Sequence, residues 1–356
     1  MNATVKRIVE LMFQDTEMTD EVKALQEELL NNCQERFEDR MAQGCTEDEA
    51  IAAVVESLKG MQEVIDGYPK KPAPKPELGA NATMEGENCV YRFDAATVQR
   101  ITCDVVNEDV HFVPTSKAQL AVRYDPEDVH VTVTQQGNVV SIKRNANKNS
   151  AKSWSFGSIL HIVHYSSGGD ITIEIPEGMH PDIAFHGISG DVELAQLQPQ
   201  SLVLETTGGD IDVAMEPNTE TAQVRLATGS GDIQGVLYAA QATLQSLSGD
   251  VRMSGECAEL TVSSVSGDVQ VAGEMARVRM KSVSGDMLLR AGSQLCEVQA
   301  QSTSGDVDIF LPEHTDSVHV NARSISGDVQ SRFPDLGEAS SVKVTANSVS
   351  GDILVR

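Results

Sequence analysis

Basic residues are scarce in this sequence. Its 356 residues include 27 Lys and Arg against 53 Asp and Glu, which gives a formal net charge of −26. Nucleic-acid binding needs clustered basic side chains that neutralise phosphates, and an anionic membrane surface attracts the same kind of cluster. The composition therefore argues against a nucleic-acid partner and against direct membrane binding. It suits an acidic protein that repels its own copies or attracts cations.

Aromatic residues and closely spaced cysteines are also few. Aromatics make up 4% of the chain and Trp154 is the sole tryptophan, too few for a platform that stacks bases or sugars. The cysteines show no CxxC spacing, which indicates reduced thiols in an intracellular chain, with a Cys33–Cys45 disulfide as the alternative. The sequence also lacks a nucleophile elbow, a phosphate loop and zinc-ligand spacing, so it predicts no cofactor.

Long hydrophobic runs are missing as well. The short apolar stretch near the N-terminus is soon interrupted by acidic residues, so it is neither a secretory signal nor a spanning helix. No later segment reaches membrane-spanning length. The sequence therefore predicts a cytoplasmic protein without a transmembrane segment, and a membrane-peripheral or exported form is the alternative.

The residues that are present fall into four regions. Residues 1–68 repeat apolar side chains at helical spacing, as in Val22, Leu25 and Leu29, and this predicts a small helical bundle. Residues 69–87 form a Pro- and Lys-rich linker, which favours an extended tether. From residue 88 the apolar period changes to two, which predicts a β-rich leading segment over 88–165 and a repeat region over 166–356.

The repeat region is marked by Gly-Asp pairs at intervals of about 20 residues. Apolar residues stand eight and six positions before each aspartate and one and three positions after it, as in Leu260, Val262, Val269 and Val271 around Asp268. A small hydroxylated residue usually stands four positions before. The ten pairs end at Asp170, Asp191, Asp210, Asp232, Asp250, Asp268, Asp286, Asp306, Asp328 and Asp352.

Alternation on both sides of the Gly-Asp pair indicates two short strands, each with every second side chain facing inward. One such unit cannot bury its apolar face alone, but stacked units can. The sequence therefore predicts a mainly β protein, with a β-solenoid of about ten coils behind the small N-terminal α domain. A five-bladed propeller, made by pairing the copies, is the alternative fold.

The Gly-Asp pairs are interpreted as structural turns. Glycine would permit a backbone angle that other residues resist, and aspartate would accept hydrogen bonds from nearby backbone amides. Stacked coils would then align the aspartates in a ladder. The predicted turn residues are Gly190, Asp191, Gly249, Asp250, Gly267, Asp268, Gly285, Asp286, Gly305, Asp306, Gly327, Asp328, Gly351 and Asp352.

A metal site and an enzymatic site are the chemical alternatives for this repeat. A cation ladder would use Asp250, Asp268, Asp286 and Asp306, but one carboxylate per coil is sparse for calcium, so no metal site is predicted. A carbohydrate-active β-helix enzyme would need a unique cluster of carboxylates on one face. Since the polar signal is repeated evenly, no catalytic residues are predicted and the chain is interpreted as a non-enzyme.

The aligned copies of SVSGDV, with IPEG and LPEH before some of them, resemble the bacterial putative-adhesin β-strand-repeat (SGD-repeat) family over about residues 88–356. The stretch RMAQGCTEDEAIAAVVESL, residues 40–58, resembles the HAAS-type helical domain of bacterial stress-signalling proteins. These resemblances imply an all-β solenoid without established enzyme activity, linked to envelope-stress signalling or to adhesion. The sequence lacks the export signal and the wall anchor of a surface adhesin.

The leading hypothesis is therefore a non-enzymatic interaction scaffold that binds a protein partner through the helical domain. A surface adhesin exported by an unrecognised route and a carbohydrate-active enzyme are the alternatives. The chain ends on GDILVR, in the last copy of the repeat, and this predicts an open strand edge at the final coil. Such an edge would either form a homodimer or be covered by the helical domain.

Overall fold

The computed structural model describes residues 18–42, 82–144, 169–217, 221–313, 315, 317–333 and 340–356, the backbone of 154–156 and 160–162, and scattered residues within 2–16 and 50–69. The chain divides into two compact units. The first contains residues 1–77 and 148–164, and the second contains residues 78–147 and 165–356. Most of the predicted linker and of the HAAS-like stretch lies outside the described residues.

Helix α1, Asp20–Ala42, is the long helix of the first unit. The Thr19 hydroxyl accepts a hydrogen bond from the Val22 amide at 3.3 Å, which caps the N-terminus of the helix. The acidic residues in the first turn stabilise the helix through their interaction with the positive end of its dipole. Its buried face is formed by Val22, Leu29, Cys33 and Phe37. Among the described residues, no helix is both long and apolar enough to cross a lipid bilayer.

The second unit is built from β-strands. The strands that lead into the solenoid are β1 (Ala82–Glu85), β2 (Asn88–Asp94), β3 (Arg100–Asp104), β4 (Asp109–Thr115), β5 (Gln119–Tyr124), β6 (Val131–Gln136) and β7 (Val139–Arg144), with a 3-10 helix at Ala95–Thr97. The first unit contributes the hairpin strands β8 (Trp154–Phe156) and β9 (Leu160–Ile162).

The repeat region supplies the remaining strands. They are β10 (Asp170–Pro176), β11 (Asp182–His186), β12 (Val192–Leu197), β13 (Ser201–Glu205), β14 (Ile211–Met215), β15 (Gln223–Thr228), β16 (Ile233–Ser246), β17 (Val251–Ser263), β18 (Val269–Lys281), β19 (Met287–Ala291), β20 (Glu297–Gln301), β21 (Val307–Phe310), β22 (Val318–Ser324), β23 (Val329–Ser331), β24 (Val342–Ser348) and β25 (Ile353–Val355).

These strands form a parallel β-solenoid with two faces. Strands before each Gly-Asp pair stack into one ladder, for example β11 on β13 and β13 on β15. Strands after the pair stack into the other, for example β12 on β14 and β14 on β16. The predicted solenoid is confirmed, and the propeller alternative is wrong because neighbouring coils pair in parallel.

The solenoid has about eight turns, slightly fewer than the ten expected. The first Gly-Asp pair lies outside the stack of two-strand coils. It leads into β10, which pairs antiparallel with β5 on one side and parallel with β4 on the other. Strand β10 is thus paired with strands of the leading segment on both sides and is not part of a two-strand coil.

The core lies between the two ladders and follows the predicted offsets. Around Asp268, the side chains of Leu260, Val262, Val269 and Val271 are all buried. Each coil contributes equivalent positions, so the apolar interior is continuous along the stack. This continuity explains why a single repeat would not fold alone.

Antiparallel strands flank the first coils. Strand β2 pairs with β5, and β6 pairs with β7, in both cases antiparallel. The Tyr91 and Tyr124 rings stack with their centroids 6.3 Å apart. Burial raises the pKa of the Tyr124 hydroxyl, so the ring stays neutral inside this end of the core.

The opposite end of the solenoid differs from the expectation. The C-terminal strands β24 and β25 are inserted between earlier strands: β24 lies between β20 and β22, and β25 lies between β21 and β23. The last copy of the repeat is therefore an internal coil, and the predicted edge at GDILVR is wrong. The terminal rung is formed by β22 and β23, each with one neighbour among the described strands. A homodimer through the solenoid edge stays a prediction and would use these two strands.

The described cysteines, Cys33 among them, are free thiols, and Cys45 of the alternative Cys33–Cys45 disulfide lies outside the described residues. Burial raises the pKa of the Cys257 thiol to about 11 and also raises the pKa of Cys103. Cys296 is the exposed member of the described set.

We expect iodoacetamide at mildly alkaline pH to alkylate Cys296 well before the buried thiols, as followed by peptide mass spectrometry. Equal labelling of Cys257 in the folded chain would contradict this burial, and the denatured chain serves as the control.

Candidate functional site along the aspartate corner

The Gly-Asp turns bring the aspartates into one continuous row. We call this the aspartate row; in spatial order it contains Asp109, Asp191, Asp210, Asp232, Asp250, Asp268, Asp286, Asp306, Asp352 and Asp328. The backbone amide of each aspartate donates to Oδ1 of the aspartate before it in that order, at 2.7–3.0 Å. Asp170 lies opposite Asp109 in the register of β10 and β4. The carboxylates thus join successive coils, whereas the sequence interpretation had each one fixing its own turn.

The glycines of the turns are required by stacking. A Cβ on Gly267 would lie 1.9 Å from the carbonyl oxygen of Gly249, and the equivalent distance for Gly285 to Gly267 is 2.0 Å. None of the Gly-Asp glycines has a positive φ. The sequence interpretation, which assigned these glycines to an unusual backbone angle, is therefore wrong. They allow the backbones of adjacent coils to approach within hydrogen-bonding distance.

In most coils a buried hydroxyl completes the turn from the inside. The Oγ of Ser264 accepts a hydrogen bond from the Gly267 amide at 3.0 Å, and Ser246 and Ser282 do the same for their own glycines at 2.9 Å. In two coils a threonine, Thr206 or Thr228, fills this position with the same contact. Because these hydroxyls are buried, they satisfy an amide that water does not reach.

The residue three positions before each aspartate of these turns points outward. We call the resulting set the apolar row; it contains Ile188, Leu247, Val265, Val283, Val349 and Ile325, which are 42–81% exposed. Successive members are tied by backbone bonds, since the amide one position after each residue donates to the carbonyl of the equivalent residue in the coil below. Thr207, Gly229 and Thr303 occupy the same position in other coils. An exposed line of aliphatic side chains therefore runs beside the aspartate row.

Sequence reasoning missed the first member of the aspartate row. Asp109 follows Glu108 instead of glycine, yet Ile101 and Cys103 stand eight and six positions before it and Phe112 stands three after it. Aligning the apolar offsets, rather than the Gly-Asp pair, would have found it. Glu108 is buried, accepts from the Val106 amide at 2.9 Å and pairs with Arg144 at 3.1 Å.

The amide–carboxylate hydrogen bonds of the aspartate row bear on the alternative of a cation ladder at Asp250, Asp268, Asp286 and Asp306. One oxygen of each carboxylate already accepts a backbone amide from the next coil. Within the part of the chain that the structure describes, no three His, Cys, Asp or Glu side chains are grouped to hold a metal ion. The row therefore offers isolated oxygens along a line rather than a coordination shell.

Asp308 lies two positions after Asp306, and its pKa is perturbed. In the strand register it stands between Leu288 and Leu354 of the neighbouring coils. Burial raises the pKa of this carboxyl, and the charges of Asp306 and Asp286 raise it further, while Arg356 opposes the change. An acid whose folded pKa is raised stabilises the fold at low pH and opposes it as the pH rises through the folded pKa.

We therefore expect Asp308→Asn to raise the free energy of unfolding at neutral pH by about 0.5 kcal/mol, because it removes a partly desolvated charge from between like charges. The gain should vanish below the ordinary carboxyl pKa of about 4, since the native side chain is then protonated too. Urea titrations at several pH values measure it. Asp212→Asn, at the equivalent position beside Gln234, is the control and should show no such gain. A gain that persists at low pH would contradict the electrostatic cause.

The sequence and fold were compared with known proteins. No curated protein sequence matches the chain. Similar solved structures include a "putative adhesin" from Bacteroides fragilis, with 13% identity over 76% of this chain and 98% of that chain and a TM-score of 0.39. A "putative lipid binding protein" from Parabacteroides distasonis has 15% identity, covers 75% and 97%, and has a TM-score of 0.36. A "putative cell adhesion protein" from Clostridium sporogenes has 10% identity, the same coverage and a TM-score of 0.18.

The family comparison covers most of the solenoid. The match spans residues 98–356, from just before β3 to the last residue of the chain, and so includes every member of the aspartate row. The chain belongs to the Toastrack DUF4097 family.

Proposed function

We propose that this protein is a non-enzymatic interaction scaffold. The observation that carries the proposal is the aspartate row, in which each carboxylate from Asp109 to Asp352 accepts an amide from the following coil. The most repeated polar group of the chain is thus used to build the stack. Catalysis would instead need a few unique groups that converge on one point.

The apolar row supports the same function from the outside of the molecule. Leu247 is 59% exposed and Ile325 is 81% exposed, although both belong to a fold with a large buried interior. Aliphatic side chains that line up on a surface are typical of protein–protein contacts. The rigid spacing of the coils presents them at a fixed distance from one another, which suits recognition of an extended partner.

A position-specific cross-linking experiment tests this proposal. A photoreactive residue is placed at Val265 in the apolar row or at exposed Gln270 two positions after Asp268, and the full chain is irradiated in its native cells. We expect a discrete protein adduct from position 265 only. The adduct should disappear when Leu247→Ser and Val283→Ser are added. Equal adducts from both positions, or none from 265, would overturn the proposal.

Calcium provides a second check, because a cation-binding role for the aspartate row is the competing explanation of its chemistry. We expect millimolar calcium to leave the melting temperature unchanged, since one oxygen of Asp250 and of Asp268 is already an acceptor for an amide. Differential scanning calorimetry with magnesium as the control measures it. A calcium-specific rise in melting temperature would mean that the row binds the ion.

Envelope-stress signalling is the finer role that we propose for the scaffold. It is supported by the resemblance of residues 40–58 to HAAS-type domains, and the protein partner would bind through the helical region. The exposed acidic residues Glu35, Glu38 and Asp39 of α1 are candidates for that contact. Reversing their charge in the full chain should abolish the response of an envelope-stress reporter without lowering the melting temperature. An unchanged response would remove this role and leave the scaffold proposal standing.

A further inference from the structure

A groove runs across the last four rungs of the solenoid. It lies between the outward-facing side chains of β18, β20, β24 and β22 and the end of the apolar row. It has a volume of about 950 Å3. Its floor is formed by the turn hydroxyl residues Ser282, Ser302, Ser348 and Ser324. The residue before each of these serines points outward on one side, and the residue after it points outward on the other. Two different walls therefore face each other along the groove.

One wall is cationic and amide-bearing. In spatial order it consists of Lys281, Gln301, Asn347 and Arg323, which are register partners on β18, β20, β24 and β22. All four are exposed. Within the described residues, the side chains of Lys281 and Arg323 have no ion-pair partner. The basic groups thus stand at the two ends of the wall with two neutral amides between them.

The sheet face behind this wall is also basic. Arg277, Arg279 and Lys343 project from the same strands, where the acidic residues at outward positions are Glu297 and, seven positions before Lys281, Glu274. Arg277 is paired with Glu259, whereas Arg279 and Lys343 have no ion pair among the described residues. In a chain with a net charge of −26, this concentration of positive charge is a local exception.

The other wall is mostly aliphatic. It is the end of the apolar row, with Val283, Thr303, Val349 and Ile325 in spatial order, and Val329 also lines the groove. The aspartate row follows three residues further along each turn, at Asp286, Asp306, Asp352 and Asp328. An acidic side chain on this side of the groove would be repelled by that row, whereas an aliphatic side chain would bury apolar surface.

We propose that this groove binds an extended acidic peptide segment of a partner protein, in which carboxylate and aliphatic side chains alternate. The inference rests on the proposed scaffold function and names the partner's chemistry. An extended chain places alternate side chains on opposite sides, which matches the two walls. Four rungs span about 14 Å, the length of about four extended residues, so two carboxylates four positions apart reach Lys281 and Arg323.

A peptide fits this site better than a membrane surface. The basic wall of the groove lies close to a continuous line of carboxylates that would repel an anionic bilayer. The contact to the partner is electrostatic on one side and hydrophobic on the other. Binding should therefore weaken with salt but not vanish, because the aliphatic contacts are insensitive to screening.

Fluorescence anisotropy on the full-length protein tests the proposal. The probe is a labelled eight-residue peptide of alternating Glu and Val, and the comparison peptides are a block peptide of the same composition and an all-Glu peptide. We expect the alternating peptide to bind and the other two to bind at least about tenfold more weakly. Vesicles that contain phosphatidylglycerol test whether the protein binds an anionic lipid surface instead of the peptide.

Charge-reversal variants locate the binding. Lys281→Glu with Arg323→Glu should weaken binding of the alternating peptide by about tenfold or more. The matched control, Lys23→Glu with Arg36→Glu on exposed positions of α1, makes the same change in net charge and should leave binding intact. Val283→Ser with Ile325→Ser tests the aliphatic wall and should weaken binding with its salt dependence retained. Unchanged melting temperatures show that all variants are folded.

The proposal would be overturned if the block peptide bound as tightly as the alternating peptide, or if the Lys281→Glu, Arg323→Glu variant bound the alternating peptide as tightly as the native protein. It would also be overturned if the protein bound the vesicles but did not bind the alternating peptide. The cross-linking experiment at Val265 separates these failures from failure of the scaffold itself. If Val265 still forms its adduct while the peptide does not bind the groove, the scaffold function stands and only the partner chemistry assigned to this groove is wrong.

Discussion

Gly267→Ala should destabilise the protein by about 3 kcal/mol, the largest effect that we expect from a single substitution in the Gly-Asp turns. The added Cβ would lie 1.9 Å from the Gly249 carbonyl oxygen and 2.5 Å from its carbon. These are backbone atoms of the neighbouring coil, so they cannot rotate away as a side chain would. Relief requires the two coils to separate, which breaks the amide–carboxylate bond between Asp250 and Asp268.

The control is another glycine of the same turns. Gly208 stands two positions before Asp210, where most coils have serine, and a Cβ there would meet its nearest neighbour at 3.5 Å. Gly208→Ala should therefore change the free energy of unfolding by less than about 0.5 kcal/mol. Urea unfolding of both variants measures the difference. If Gly267→Ala were as mild as Gly208→Ala, the close approach of the coils would be wrong.

Asp268→Ala should cost about 1–2 kcal/mol, the second large effect at the corner. Its carboxylate accepts the Asp286 amide at 3.0 Å, and the shorter side chain would leave that amide without its acceptor. Asp268→Asn keeps an oxygen in the same place and removes one charge from a line of like charges. We therefore expect the asparagine variant to lie close to the native protein in stability.

Asp328 is the matched control for this effect. It occupies the last place in the aspartate row, and its amide donates to Asp352 while no described amide donates to its own carboxylate. Asp328→Ala should therefore be nearly neutral, and the contrast with Asp268→Ala isolates the bond between coils. Chemical denaturation of Asp268→Ala, Asp268→Asn and Asp328→Ala measures their free energies of unfolding relative to the native protein. Equal losses at 268 and 328 would show that aspartate stabilises its own turn instead.

Much of the architecture could be predicted because the repeat carries it locally. The offsets of Leu260, Val262, Val269 and Val271 around Asp268 specify two short strands with one inward face each, and these side chains are buried in the structure. The alignment of equivalent aspartates also follows from stacking equivalent coils. What could not be read from a single repeat is how the coils meet, because contacts between coils join residues about 20 positions apart.

The groove shows the same limit for the candidate site. Lys281 and Arg323 are 42 residues apart in the sequence, and they stand at the two ends of one wall because β24 is inserted between β20 and β22. A repeat that stacked in chain order would have placed Arg323 on the rung next to Gln301. The sequence of either coil alone does not specify the order of the last two coils.

The sequence by itself determined the period, the inward-facing residues and the turn at each Gly-Asp pair, since these depend on neighbours within one coil. Only the tertiary structure decided why the turn needs glycine, which amide each carboxylate accepts and which basic side chains share a surface. The physical reason is that hydrogen bonds and close contacts between coils form only after stacking, when the backbone of one coil lies against the backbone of the next.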